Sequence, residues 1–372
     1  MLQTKQYNLQ TGTMRALVPY FIICLAITST NCYSNDSRFI SYHGDEKPFL
    51  LVAETKDIWF GPISQTSGQS GELTNLLHDL HQAIDVDYDY EERKLFFRDG
   101  TQIYLSNITI SDGNLTASSP ETIANDTKSV EGIAYDWVHK VLYWTDNGKN
   151  TIELLAMKKN YRKTIFDTNL DKPRGIAVDP RDDQKWIYWA DWGRKPKIEK
   201  SGLDGSNRAL LIATNIGQPN HLTIDYSENR LYWVDHRLDT ISSSDLDGRN
   251  VQVVFSDTRY TSHPFSIDVF GDSVFWSEWQ TRKVYQINKN NSSAVIELTE
   301  SELSSAPMGI AVFHHSRQPR GMDPCRVNNA GCSHICLVAP ALETNEKKFN
   351  CFCPDGMLLK KDGLYCQMPK PN

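Results

Sequence analysis

The chain has no excess of basic residues and, apart from one segment near its start, no extended hydrophobic run. Its 372 residues include 39 Lys and Arg against 46 Asp and Glu, which gives a net charge of −7. This balance argues against nucleic acid as a partner. The patterns G-x-S-x-G and H-E-x-x-H and the P-loop are also absent. No familiar catalytic motif therefore supports an enzyme.

The apolar segment, MRALVPYFIICLAITST, begins at Met14. Within it, Arg15 is followed by an apolar stretch that is too short to span a bilayer comfortably and by small polar residues. We therefore expect residues 1–34 to be a leader that is removed, leaving residues 35–48 as an N-terminal segment. An uncleaved signal anchor that tethers the chain to a membrane is the alternative. No other run approaches membrane-spanning length, so no span is predicted in the mature chain.

The eight cysteines fall into two groups. Two of them, Cys24 and Cys32, lie in or beside the leader. The other six lie within about 42 residues, too few to fold on a hydrophobic core alone, so disulfides are expected between them. These six are Cys325, Cys332, Cys336, Cys351, Cys353 and Cys366. N-x-[ST] sequons point to the same extracellular compartment. They begin at Asn35, Asn107, Asn114, Asn125, Asn290 and Asn291.

An aromatic repeat dominates the middle of the chain. The tetrapeptides YWTD, YWAD, YWVD and FWSE place their tryptophans 43 to 45 residues apart, at Trp144, Trp189, Trp233 and Trp276. This period predicts one such strand in each blade of a β-propeller. We expect the tryptophans to be core residues packed against neighbouring blades, and the acid that ends each tetrapeptide to bond adjacent backbone.

A second repeat precedes the aromatic one and suits inner strands that are covered on both faces. Its six copies are AIDVD (83–87), GIAYD (132–136), GIAVD (175–179), HLTID (221–225), SIDVF (266–270) and GIAVF (309–313). The sixth copy lacks an aromatic strand after it, whereas LLVAETKDIWF (50–60) lacks an inner strand. Residues 50–60 are therefore predicted to complete the sixth blade. The expected order is a propeller (49–316), a linker (317–324), a cysteine module (325–366) and a tail (367–372).

These repeats, the segment QPRG (318–321) and the cysteine module resemble the low-density lipoprotein receptor family. The stretches SHPFSIDVF (262–270) and CFCPDGMLL (351–359) are also similar to it. The resemblance implies an all-β chain, a six-bladed YWTD β-propeller plus a small disulfide-rich EGF-like module. It also implies the disulfides Cys325–Cys336, Cys332–Cys351 and Cys353–Cys366. Only one carboxylate, Asp323, closely precedes the first cysteine, so we predict no calcium in the module, and no other metal or cofactor.

In that family, one propeller face docks acidic cysteine-rich modules at low pH. The resemblance places on this face an exposed aromatic, two basic residues and a histidine that gains charge at low pH. A second histidine, three residues before the position where the family has its other one, is close enough in sequence to substitute for it. These ligand-face candidates are Trp192, Arg237, Arg259, His263 and His236. Two positions depart from the family pattern: Gln218 replaces a tryptophan and Asp239 replaces a histidine. A structural role for His263 and solvated roles for the arginines remain open alternatives.

The leading prediction is a secreted, non-enzymatic protein that binds extracellular protein ligands, acidic cysteine-rich receptor modules in trans among them. One alternative is a fragment or isoform of an endocytic lipoprotein or vitellogenin-type receptor. Another is a propeller hydrolase with a channel metal, but the inner strands offer mainly small apolar residues. Their terminal acids, Asp87, Asp136, Asp179 and Asp225, are interpreted as turn residues. Blade closure joins distant segments, so we also expect an endoplasmic-reticulum propeller chaperone as a partner.

Overall fold

The structure, a computed structural model, describes residues 47–63, 72–299, 303–340 and 348–370. The predicted leader, most of the predicted N-terminal segment, Cys24, Cys32 and Asn35 lie outside these ranges. Over the described residues the chain is almost entirely β-structure, with six antiparallel blades followed by the cysteine module.

Each blade begins with an inner strand that contacts the inner strands of both neighbouring blades. The described chain opens with β1 (Phe49–Glu54), β2 (Ile58–Pro62) and β3 (Thr74–Leu77). Blade 1 contains β4 (Ala83–Asp89), β5 (Lys94–Asp99), β6 (Gln102–Ser111), β7 (Asn114–Ala117) and β8 (Glu121–Ala124). Blade 2 contains β9 (Val130–Asp136), β10 (Val141–Asp146), β11 (Thr151–Ala156) and β12 (Tyr161–Phe166).

The remaining blades repeat this arrangement. Blade 3 contains β13 (Pro173–Asp179), β14 (Trp186–Asp191), β15 (Lys197–Gly202) and β16 (Ala209–Ile212). Blade 4 contains β17 (Pro219–Asp225), β18 (Arg230–Asp235), β19 (Thr240–Asp245) and β20 (Gln252–Phe255), and the short helix α1 (Thr258–Thr261) follows it. Blade 5 contains β21 (Pro264–Phe270), β22 (Ser273–Glu278), β23 (Lys283–Asn288) and β24 (Asn291–Glu297).

The sixth blade is assembled from both ends of the propeller. Its inner strand is β25 (Pro307–Phe313), and the sheet continues through β1, β2 and β3. Strand β1 pairs with β25 in a register that sets Leu50 opposite Val312, and all six residues of β1 are buried. The outermost strand, β3, was not predicted from the sequence. This pairing gives β25 a hydrogen-bonded neighbour from the far end of the chain and leaves no open edge there.

The repeated tryptophans form the core between blades, as predicted. The side chains of Trp144, Trp189, Trp233 and Trp276 are at most 1% exposed. Trp144 packs with blade 1 residues, whereas the adjacent Tyr143 packs with blade 3 and donates to the carbonyl of Leu203 at 2.8 Å. Alternation of side chains along the strand therefore lets one aromatic pair join three blades.

Strand pairing corrects the register of the first inner copy. Ile133 lies opposite Trp144, and Val86 lies opposite Phe97 in the same way. The first copy of the repeat is therefore DVDYD at 85–89, rather than AIDVD at 83–87. A slip of two residues keeps every side chain on the same face of a strand, so the apolar pattern alone does not distinguish the two registers.

A linker leads from blade 6 to the EGF-like module. It begins with a 3-10 turn (His315–Arg317), and a second such turn (Asn328–Gly331) opens the module. The module's strands are β26 (Ile335–Val338), β27 (Phe349–Phe352), β28 (Leu358–Leu359) and β29 (Cys366–Gln367). Its disulfides join Cys325 to Cys336, Cys332 to Cys351 and Cys353 to Cys366, the pairing that the resemblance implies.

The module packs against blades 2 and 3. Leu337 and Val338 belong to the same apolar cluster as Leu203 of blade 3. At the edge of this contact, Asn350 Nδ2 donates to Asp204 Oδ2 at 2.7 Å. Apolar burial and polar bonds thus hold module and propeller together.

Candidate functional site

One end of the propeller is built by the acids that close the second strand of each blade. Each accepts backbone N–H groups from the loop that precedes its own inner strand, as predicted for the tetrapeptide acids. These acids are Glu54, Asp99, Asp146, Asp191, Asp235 and Glu278. The residue after the acid is then bonded to the same loop: Trp192 N–H donates to Lys172 O, and Trp279 N–H donates to His263 O. The residue that follows the acid therefore lies on the same face of the propeller in successive blades.

On blades 3 to 5 this face carries a continuous aromatic row of Trp192, His236, His263 and Trp279. The ring centroids of Trp192 and His236 are 6.3 Å apart, those of His236 and His263 are 4.4 Å apart, and those of His263 and Trp279 are 6.3 Å apart. Trp279 is 50% exposed. Exposed tryptophans of this kind are over-represented among the anchors of protein interfaces.

The aromatic row borders a cleft of about 210 Å³, called here the rim cleft. It is lined by Arg174, Trp192, Asn220, His236, His263, Pro264, Phe265 and Trp279. The guanidinium of Arg174 lies 4.1 Å from the ring centroid of Trp192 and 3.3 Å from a carboxylate oxygen of Glu131. Burial lowers the pKa of Arg174. The arginine therefore positions Trp192, and Glu131 offsets its charge.

Two buried polar atoms beside the cleft have no hydrogen-bond partner among the described residues: Asn220 Oδ1 and His263 Nδ1. The Asn220 amide nitrogen is engaged, because it donates to Phe265 O at 2.8 Å. A buried polar atom left unpaired costs about 1–3 kcal/mol. A ligand group that bonded both atoms would recover part of this cost, so the rim cleft has the polar and aromatic features of a recognition site.

The histidines of the row differ in their surroundings. Burial lowers the pKa of His236, and the neighbouring His263 and Arg174 lower it further, against the opposing carboxylates of Asp239 and Asp235. His236 is therefore neutral at pH 7.4 and gains charge only below its ordinary range near pH 6.5. Asp239 stands where the family has a histidine. Its carboxylate acts on the site by partly opposing the lowering of the His236 pKa.

The structure brings three of the five predicted ligand-face residues together: Trp192, His236 and His263. The other two lie outside the cleft lining. Arg237 is exposed in the loop after β18, and Arg259, on α1, is paired with Asp257 at 2.6 Å.

Five lining residues, Pro264 among them, were missed from the sequence, although the repeat contains a signal for the other four. Trp279 follows the acid of FWSE just as Trp192 follows the acid of YWAD. The other three, Arg174, Asn220 and Phe265, each stand directly before the first residue of an inner copy. Residues at the same position of the repeat lie at corresponding places in successive blades, so an alignment of the copies would have grouped these residues.

The channel along the propeller axis is narrow, about 70 Å³, and more polar than predicted. In the corrected register, Asp87 lines this channel. The acid of β4 that corresponds to the strand-ending acids of the other blades is Asp89. The carboxylate of Asp87 accepts from Tyr88 N–H at 2.8 Å and from Tyr135 N–H of blade 2 at 2.7 Å. Burial raises its pKa to about 7, although these two bonds oppose the shift. Asp87 thus ties two blades together rather than ending a strand.

Other channel groups are also engaged in bonds between blades. Asp268 accepts from Val312 N–H of blade 6 at 2.7 Å and pairs with Arg317 of the linker at 2.6 Å. His221 lies 3.7 Å from Asp85, which belongs to blade 1. Within the described ranges, no three His, Cys, Asp or Glu side chains are arranged to hold a metal ion.

Five of the six predicted glycosylation residues are described, and all five are exposed: Asn107, Asn114, Asn125, Asn290 and Asn291. These asparagines are therefore accessible for modification, and their glycosylation stays a prediction.

No described helix is long and apolar enough to cross a membrane.

The fold and the cysteine pairing define a YWTD β-propeller joined to an EGF-like module. The family model "Low-density lipoprotein receptor repeat class B" matches residues 140–180, 185–226 and 229–270, and the model "Coagulation Factor Xa inhibitory site" matches residues 325–366. The chain is 36% identical over 303 residues to low-density lipoprotein receptor-related protein 8 of Gallus gallus, a match that covers 81% of this chain and 33% of that protein. The chain belongs to the low-density lipoprotein receptor family.

Solved structures agree on the architecture. A chain of the crystal structure of a nidogen/laminin complex aligns with a TM-score of 0.63 and 27% identity, covering 72% of this chain and 98% of that one. TolB from Acinetobacter baumannii aligns with a TM-score of 0.53 at 13% identity, covering 71% of this chain and 66% of that one, which shows the fold alone. The family is one of binding propellers rather than enzymes. The chain spans about a third of the length of the receptor-related relative.

Proposed function

We propose that this chain is an extracellular, non-enzymatic binding protein that engages protein ligands through the rim cleft. The observation that carries the proposal is the pairing of an aromatic row, half-buried except for the exposed Trp279, with two unpartnered buried polar atoms. Aromatic anchors supply desolvated contact area, and unpaired polar atoms select a ligand side chain that satisfies them. The match to a nidogen/laminin structure supports protein binding as a use of this fold.

The expected ligand is a protein segment with an apolar or aromatic anchor beside a hydrogen-bonding side chain. Acidic cysteine-rich modules in trans remain one proposed class. Their attraction at neutral pH would come from the exposed Arg237, which lies outside the cleft lining, because Glu131 offsets Arg174 and Asp239 is itself acidic. The pKa of His236 is lowered by burial, so protonation of this histidine would strengthen binding of an acidic ligand only at acidic pH.

Secretion through the endoplasmic reticulum forms part of the proposal. The supporting features are the three disulfides of the module and the exposed sequon asparagines. The β1–β25 pairing joins residues as far apart as Leu50 and Val312, so long-range closure must precede a complete sixth blade. Slow closure of this kind exposes apolar edges, which supports the proposed dependence on a propeller chaperone.

A second proposal is that the chain is part of an endocytic lipoprotein or vitellogenin-type receptor. It is favoured by the coverage of only a third of the receptor-related relative. A transcript that joins this sequence to cysteine-rich repeats and a membrane span would support it over a separate secreted protein.

The rim cleft is tested by capture from extracellular fluid at pH 7.4 and pH 5.5, with identification of the ligand and measurement of its Kd. Trp279→Ala and Trp192→Ala are expected to weaken binding about 30-fold each, as for an interface anchor worth about 2 kcal/mol. Tyr365→Ala is the matched control, because this aromatic is 52% exposed on the EGF-like module. If the two tryptophan variants bind the ligand as tightly as the wild type and Tyr365→Ala do, the rim cleft is excluded as the binding site.

A further inference from the structure

A buried histidine joins the propeller to the linker of the EGF-like module. The side chain of His139, in the turn after β9, is 2% exposed. Its Nδ1 lies 2.6 Å from Asp136 Oδ2, and its Nε2 lies 3.3 Å from the carbonyl oxygen of Met322. Both neighbours are acceptors. Only an imidazole that carries a proton on each nitrogen can donate to both of them.

We propose that His139 is a proton-dependent clasp: as an imidazolium it donates to Asp136 and to Met322 O, and so holds the linker on blade 2. A neutral imidazole has a single N–H, so the lone pair of its other nitrogen would face an oxygen. Loss of the proton therefore removes one bond and adds a repulsion at an imidazole that is 2% exposed.

The charged groups around the ring favour the proton. Burial opposes a charge on His139, but the carboxylate of Asp136, its hydrogen bond and the more distant Asp323 together raise the pKa above its ordinary value. Lys158 is paired with Asp323 at 2.8 Å and partly offsets it. Asp182 is engaged separately, accepting from Met322 N–H at 2.6 Å.

The pH dependence follows from the raised pKa. The imidazolium stabilises the folded linker fully below the unfolded pKa of about 6.5, and this contribution is lost as the pH rises through the folded pKa. Only the linker is affected. The contacts of Leu337 and Asn350 with blade 3 involve no histidine and continue to hold the module.

The test is amide hydrogen exchange of the whole chain between pH 5.5 and pH 8.5, corrected for the intrinsic exchange rate. The Met322 amide reports the clasp indirectly, because its own bond to Asp182 is broken when the linker opens. Its protection is expected to fall about fivefold with rising pH in the wild type, the factor for one ordinary hydrogen bond. It is expected to stay flat in His139→Gln. His78→Gln is the control, because His78 is 75% exposed and should leave the wild-type response unchanged.

A flat profile in the wild type, or the same slope in His139→Gln, would overturn the clasp. If His139→Gln does not fold, the NMR titration of the wild type decides the matter. A pKa of His139 above the ordinary histidine value of about 6.5 supports the clasp, and a value equal to or below it refutes the clasp. Neither readout depends on a ligand of the rim cleft, so the proposed function can fail without affecting this result.

Discussion

The buried carboxylate of Asp87 makes the stability of the propeller depend on pH. Its pKa is raised from 3.8 to about 7, first of all by burial. A raised folded pKa means that the folded state binds the proton more tightly than the unfolded chain. The resulting stabilisation is complete below about pH 4 and is lost as the pH rises through about 7. Between pH 5 and pH 7.5 this group alone removes about 2.5 kcal/mol of unfolding free energy.

Asp87→Ala tests this reasoning, because the repeat already places alanine at the same position in other blades, at Ala134, Ala177 and Ala311. The variant loses the bonds to the amides of Tyr88 and Tyr135, a cost that does not vary with pH. The difference in unfolding free energy between wild type and variant should therefore shrink by about 2.5 kcal/mol from pH 5 to pH 7.5.

The assay is denaturant unfolding followed by tryptophan fluorescence at several pH values. Asp112→Ala removes an exposed carboxylate and is the control, for which a pH-independent difference is expected. A constant difference for Asp87→Ala as well would show that the channel carboxylate is ionised throughout this range and would refute the argument.

Three further predictions concern packing and processing. Trp144→Ala should cost about 3–5 kcal/mol of unfolding free energy, whereas the exposed Trp279→Ala should change it by no more than about 0.5 kcal/mol, and similar costs in denaturant melts would contradict the core assignment. Gly175→Ala should destabilise by about 1–3 kcal/mol in the same melts, since its Cβ would lie 2.6 Å from the Cα of His221, and a neutral result would show that the inner strands separate easily. Peptide-N-glycosidase should increase the gel mobility of the chain expressed through the endoplasmic reticulum, by removing glycans from sites such as Asn107, and unchanged mobility would count against glycosylation.

The propeller could be predicted because its repeat follows from burial. Trp144 and Trp189 recur at one period because each blade must fill the same space against its neighbours. The cysteine module was equally accessible, since six cysteines in so short a segment have few other roles in an extracellular chain. The family resemblance predicted Trp192 as a ligand-face residue, and the structure places it in the lining of the rim cleft.

The rim cleft was only partly predictable. His236 and His263 come from different blades, and only strand pairing shows that their rings lie 4.4 Å apart. Trp279 was missed because FWSE was interpreted as a core strand and the residue after it was not compared with Trp192. Arg259 follows a family position, but the ion pair with Asp257 within its own turn keeps it engaged outside the cleft.

The sequence by itself determined the fold class, the core aromatics and the disulfide-rich module, because periodic burial and clustered cysteines are local properties of the chain. Tertiary structure alone decided the register of the first blade, the channel position of Asp87 and the contact of His139 with Met322. Each of these depends on which residues of distant segments face one another. Alternation along a strand fixes the face of a side chain but not its partner, and ring closure chooses the partner.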